Sequence, residues 1–500
     1  MTGRKRLLIA LLLAPALALP SACARVVNPA TGQTEFTAMS PDQEQEIGQE
    51  QHPQVLMQFG GAYEDPELQA YVTRIGDELA TVSDLPELDF TFTLLNSEVI
   101  NAFALPGGYV YITRGLLALA DNEAELAGVM AHEIGHVTSR HSAQRYSRGV
   151  LAQGGLAIGT ILAGVLGGGA AADMVQQAGG LGAQAYLAGY SRDQEFQADE
   201  LGVRYMARAG YDPTAMSSFL EKLERNDQLL RRLAGRDGGA DPASSWFATH
   251  PRTPDRVLRA AEQASAASTG QRRTGRDAYL DRIDGMVYGE DPTQGFVRGR
   301  TFVHPELRFA FDVPQGYRIV NTPAAVIGQA QNSLMKFDAV RVPEGQDVGA
   351  YLARDWAREL GAGRLGNVAQ SQVSGMPAAS AVHPGRLDDG QQVTVALAAL
   401  RAGDERVYRF MFVSPGRMSS AQANAYQATV NSFRRLSAEE AAAMQGRRLR
   451  VVTVEPGQDV EDLARRMAVD SLPREQFELL NGLDSGDSLS PGQKVKLVVG

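Results

Sequence analysis

The sequence predicts a multidomain chain: a mainly α-helical domain with a small β-sheet, then an α+β domain, then a small βααβ module. Three observations carry this. A chain of 500 residues is too long for one hydrophobic core and implies about two to four domains. Apolar residues recur at helical spacing through the first half, most clearly around an H-E-x-x-H run at His132 to His136. After residue 300 the pattern changes to strand-like runs at 309–313, 393–397 and 407–413, with helical stretches near 347–360 and 419–434. We place the segments at 1–24, a signal peptide; 25–270, the helical domain; 271–300, a polar linker; 301–440, the α+β domain; and 448–499, the module. Composition is ordinary for globular protein, 44% hydrophobic and 21% charged. The formal charge of -10 argues against nucleic acid and anionic membrane surfaces as general partners.

Residues 1–24 read as a secretory signal. Arg4, Lys5 and Arg6 form the basic start, 7–14 the apolar core, and Ser21, Ala22, Cys23 and Ala24 the small-residue exit. That core is too short to be a membrane helix. Cys23 is the only cysteine, so no intramolecular disulfide forms in this exported chain. Two readings of Cys23 stay open. Lipidation there would tether the protein to the outer membrane, although Pro20 stands where a lipobox leucine is expected. Cleavage after Ala24, at an A-x-A site, would free it.

The H-E-x-x-H run carries the chemistry. In a helix His132 and His136 stand one turn apart on one face and can bind one metal ion. Glu133 lies at the edge of the same arc, placed to take a proton from an attacking water. Zinc suits this role as a redox-inert Lewis acid. Asn122, with Glu125 three residues on, starts the helix. Gly135 costs about 1 kcal/mol in a helix interior, which a close approach of another backbone or of substrate would explain.

Catalytic zinc usually has three protein ligands. The extended metzincin pattern fails, because Thr138 and Ser142 stand where Gly and His are needed, and His141 is one residue out of register. The stretch from Ser191 to Asp199 is the better source. Ser191 and Gln194 form a capping box, and Glu195 and Asp199 share one helix face. Glu195 would complete a site of two histidines and one glutamate, and Asp199 would hydrogen-bond a ligand imidazole.

Together with Asn101-Ala102-Phe103-Ala104-Leu105-Pro106-Gly107-Gly108, these motifs resemble the zinc peptidases related to HtpX and the CAAX prenyl protease, in their soluble periplasmic, BepA-like branch. The similarity covers about residues 40 to 265. It implies a gluzincin-type protease domain with one zinc ion per chain. It also implies misfolded or stalled outer-membrane proteins as substrates, and a link to the outer-membrane assembly machinery. It places the strand at 108–113 beside the zinc, where an edge strand with Asn101, Ala102, Tyr109 and Val110 would pair with an extended peptide.

Residues 149–190 are rich in Gly and Ala; closely packed helices beside the site, or a mobile lid, suit them better than membrane insertion. A loop around Trp246, Phe247, His250 and Pro251 follows the metal helices. The soluble branch carries a His-Pro pair here. His250 would bind the fourth zinc position as a block, or donate to the oxyanion of the reaction.

The α+β domain resembles small binding domains of the photosystem PsbP kind and shows no catalytic constellation. Residues 448–499 resemble a LysM module, with Pro456-Gly457-Gln458-Asp459 and Asn481-Gly482-Leu483, which implies peptidoglycan as a partner; a purely structural cap is the other reading. Two rivals to a peptidase remain: a non-enzymatic chaperone or assembly factor with a structural metal site, and a peptidoglycan-anchored scaffold. An open coordination position and hydrolysis of an unfolded protein would separate them.

Overall fold

The computed structural model describes residues 24–30, 32, 34–37, 39–144, 190–233, 246–248, 250–251, 254–267, 272–330, 333–363, 365–386, 391–403 and 405–500. Residues 1–23, Cys23 among them, and nearly all of the Gly- and Ala-rich stretch at 149–190 lie outside them. After a small hairpin of β1 (Ala24–Val27) and β2 (Thr34–Thr37), helix α1 (Pro41–Gln58) begins at a capping box between Ser40 and Gln43. Helix α2 (Pro66–Thr81) is capped by Asp65 and buries Leu68, Val72, Ile75 and Leu79 along one face.

Strands β3 (Thr91–Leu95), β4 (Ala102–Leu105) and β5 (Tyr109–Thr113) form a sheet in the order β3-β5-β4, with β3 parallel and β4 antiparallel to β5. This corrects the expected edge strand. Tyr109 and Val110 lie on the central strand, whose backbone is paired on both sides and has no edge to offer. Asn101 and Ala102 instead lead into β4, which has no strand paired beyond it among the described residues.

Helix α3 (Arg114–Leu119) leads into α4 (Glu123–Thr138), which carries the H-E-x-x-H run. The Asn122 side chain accepts from Glu125 N at 2.9 Å, while the Glu125 carboxylate accepts from Asp121 N rather than closing a box. Every residue of α4 is buried. It packs against α5 (Arg192–Arg208), with α6 (Thr214–Leu233) and α7 (Pro254–Ala267) beyond. A Cβ at Gly135 would stand 3.1 Å from Ala198 O, and one at Gly202 would stand 3.2 Å from His132 N. The cost of Gly135 therefore secures the close approach of α4 to α5.

The segment at 271–300 is not a free linker. It forms helix α8 (Arg276–Ile283), and Tyr279, Leu280 and Ile283 are 0% exposed in the same core as α4. Polar residues at 270–278 mask the apolar face that follows them. Glu290, in the same segment, accepts from Val297 N at 2.8 Å, and burial with the nearby Glu98 carboxylate pushes its pKa up to about 7. A raised carboxyl pKa means that the folded state holds the extra proton. Stability therefore falls as pH rises from about 4.3 through 7. We expect Glu290→Gln to stabilise the protein by about 1–3 kcal/mol at pH 8 and to leave it nearly unchanged at pH 4. Urea unfolding at the two pH values checks this.

The following domain has a seven-stranded sheet and a four-stranded sheet, covered by the helix Ser420–Asn431 and by a helical segment between 348 and 359. An aromatic cluster including Phe311, Phe337 and Phe410 fills the space on one side. The chain then runs strand Arg448–Thr453, helices Val460–Ala464 and Pro473–Leu480, and strand Lys494–Val499, with the two strands antiparallel. Leu449, Leu463, Phe477 and Leu497 of this module share the hydrophobic core of α4. Its fully buried Lys496 donates to the carbonyls of Ala118, Leu119 and Ala120 at 3.0, 3.2 and 2.6 Å. The module is thus built onto the end of α3, one residue short of the Asp121-Asn122 turn that starts α4. No described helix is long and apolar enough to cross a membrane.

Candidate metal centre

His132 and His136 point from α4 toward Glu195 on α5, as the spacing predicts. All three side chains are at most 1% exposed. His132 Nε2 and His136 Nε2 are 3.0 Å apart. Glu195 Oε1 lies 3.5 Å from His136 Nε2, and Glu195 Oε2 lies 3.6 Å from His132 Nε2. His250 joins them: its Nδ1 stands 3.2 Å from His132 Nε2 and 3.1 Å from Glu195 Oε1. Donors around a tetrahedral zinc at about 2.0 Å stand about 3.3 Å apart. The four side chains therefore make a cage of the right size and donor chemistry for zinc.

Glu133, fully buried, lies next to the cage. Its Oε1 is 3.3 Å from His250 Nε2, and neither of its oxygens has a hydrogen-bond partner among the described residues. Burial raises its pKa, against the pull of His250 and His132. One imidazole thus faces both the metal cage and the carboxylate that would act as base. Its loop is held by stacking. Trp246 and His250 rings lie 4.3 Å apart at 14°, and His250 N donates to Trp246 O at 3.1 Å. Trp246 is 3% exposed, the anchor that the Trp246-Phe247 pair suggests. Tyr190 stacks on His136 at 3.7 Å.

Asp199 Oδ1 sits 2.9 Å from His132 Nδ1, which fixes the ring with Nε2 toward the cage. Sequence reasoning missed the residue that makes this possible. Arg256, from α7, forks onto Asp199 with bonds of 2.7 and 2.8 Å and reaches Glu195 Oε2 at 2.6 Å. Burial alone would raise Asp199, but Arg256 outweighs it and holds the carboxyl at about 2. Two buried acids on one helix face require a cation; the sequence has many arginines and no local sign of which one folds over. Asn101 is buried, with its Oδ1 lacking a hydrogen-bond partner among the described residues, at the start of β4.

An H-E-x-x-H helix, a glutamate from a second helix and a buried carboxylate beside them make a donor set suited to a zinc centre. Residues 66–264 match the model of peptidase family M48. It is 33% identical over 272 residues to the beta-barrel assembly-enhancing protease of Yersinia pestis, covering 53% of this chain and 52% of the relative. It is 35% identical over 201 residues to that of Escherichia coli (strain K12), covering 39% of this chain and 40% of the relative. The mitochondrial metalloendopeptidase OMA1 of Schizosaccharomyces pombe is 27% identical over 258 residues, covering 50% of this chain and 69% of the relative. The chain thus spans about half or less of the length of the two bacterial relatives.

Proposed function

We propose that the protein is a zinc-dependent endopeptidase of the cell envelope that cleaves misfolded or stalled outer-membrane proteins. The observation that carries the catalytic reading is Glu133, a buried carboxylate with no hydrogen-bond partner among the described residues, placed against a cage of zinc-binding donors. His132, His136 and Glu195 would hold the metal. A bound zinc would supply Lewis-acid polarisation of the scissile carbonyl and a water of lowered pKa. Glu133 takes the proton of the attacking water and delivers it to the leaving amide nitrogen. Asp199 and Arg256 keep His132 and Glu195 oriented. β4, which Asn101 precedes and Ala102 begins and which has no strand paired beyond it among the described residues, is where an extended peptide would add as a strand.

The envelope reading rests on the signal-like segment at 1–24 and on relatives named for β-barrel assembly. A periplasmic site follows, with or without a lipid on Cys23. Peptidoglycan as a partner rests only on the LysM resemblance of 448–499.

His250 favours a second reading. A cage closed by four protein donors is what a structural zinc site has. We assign His250 instead to a reversible block, because its ring faces Glu133 as well as the cage, so that one movement of its loop would free both. His250→Ala should raise the hydrolysis of unfolded casein by zinc-loaded protein. A fall of about 10²–10³ would make His250 an oxyanion donor. No hydrolysis by either protein would return the site to the structural reading.

A further inference from the structure

The second ligand histidine also has an outer partner, which its sequence position hides. His141 is 0% exposed, and its Nδ1 lies 2.8 Å from His136 Nδ1. Its Nε2 lies 3.0 Å from Gln197 Oε1, on α5. In an unbroken helix a residue five positions after His136 would lie about 140° around the axis. Here α4 ends at Thr138, and Arg140 takes a left-handed backbone (φ 53°) that turns the chain back under His136. Such a conformation is costly for a residue with a side chain and persists where its surroundings enforce it. The enforcement is visible: buried Arg140 donates from Nε to Glu44 Oε1 at 2.8 Å and from Nη2 to Met39 O at 3.2 Å.

With the Gln197 amide oriented oxygen-first toward His141, ligation through His136 Nε2 requires one direction for the protons. Gln197 Oε1 can only accept, so His141 donates from Nε2. A neutral His141 then has a lone pair at Nδ1 and accepts from His136 Nδ1–H. His136 is left with its lone pair on Nε2, the atom that faces the cage. The reverse direction would put a hydrogen on His136 Nε2 and forbid ligation.

We infer that His141, oriented by Gln197 and by the Arg140 turn, is a positioning residue that fixes the metal-binding tautomer of His136. This rests on the reading of His132, His136 and Glu195 as ligands. The two ligand histidines then have unlike partners. His132 is backed by a carboxylate, which makes it a stronger donor, and His136 by a neutral ring, which orients it without adding negative charge.

Chelator competition for zinc, with cobalt(II) spectra and the melting of metal-free protein, tests this on the full chain. His141→Leu keeps the volume and removes the acceptor; it should lower zinc affinity by about 10–100-fold and change the cobalt spectrum. His141→Asn places an amide oxygen the same number of bonds from Cα as Nδ1. It should restore affinity to within a few-fold, together with the wild-type spectrum. Gln197→Leu, which removes the acceptor at His141 Nε2, should fall between the two. Wild-type affinity and spectrum in His141→Leu would overturn the inference. So would equal losses in Leu and Asn variants that melt equally early, which would mark a packing residue only. If the wild-type chain itself binds no zinc, the ligand assignment fails with it.

Discussion

Glu133→Gln should keep one zinc per chain and lose about 10²–10⁴-fold in hydrolysis, the usual worth of a general base. The substitution is nearly isosteric, and Glu133 is not among the four cage donors, so the cage has no reason to open. What changes is that an amide cannot accept the water's proton. Glu133 is fully buried, and among the described residues its nearest ionisable contact is the His250 ring at 3.3 Å. Glu195 is closest in chemistry, but its oxygens are committed to the cage and to Arg256. Zinc content and casein cleavage on the same sample check both halves. A variant that cleaves at the wild-type rate would remove Glu133 from the mechanism.

Arg256→Ala should destabilise the metal-free protein by about 3–5 kcal/mol, the cost of leaving buried charges without their partner. Two carboxylates are involved. Asp199 loses both arms of the fork, and Glu195 loses its 2.6 Å contact. The guanidinium also lies over the Trp246 ring at 5.3 Å, so the loop that holds His250 loses support. Zinc would return positive charge to Glu195, and the loss should be smaller in zinc-loaded protein. Denaturant unfolding with and without zinc measures the difference. A loss below about 1 kcal/mol in the metal-free form would show that the acids are solvated some other way.

The parts of the site legible in the sequence are those whose spacing is set by a single helix. His132, Glu133 and His136 are neighbours on α4, and Glu195 and Asp199 are neighbours on α5, so helical geometry alone brings each set to one face. The capping residues Asn122 and Ser191 are legible for the same reason. Arg256 and His141 are not. Arg256 reaches the acids from a third helix, and nothing local marks it among the chain's arginines. His141 appears out of register because the register argument assumes that the helix continues, whereas a left-handed Arg140 breaks it.

At the level of the fold, the strand at 109–113 is legible but its neighbours are not. The same apolar run suits an edge and a centre, and only the pairing of β3 and β4 on its two sides decides. The segment at 271–300 misleads because its ends are charged while Tyr279, Leu280 and Ile283 between them are buried. The C-terminal module shows its own elements in sequence, but nothing there marks Lys496 as buried. Only the structure reveals three carbonyls around its ammonium.

The central claim is that His132, His136 and Glu195 hold zinc and that His250 closes the site in the resting protein. The zinc K-edge X-ray absorption spectrum of the purified wild-type chain tests it most directly, with His250→Ala alongside. We predict three imidazoles and one carboxylate around zinc in the wild type, and one imidazole fewer in the variant. Two imidazoles in the resting wild type, or no change on removing His250, would contradict it.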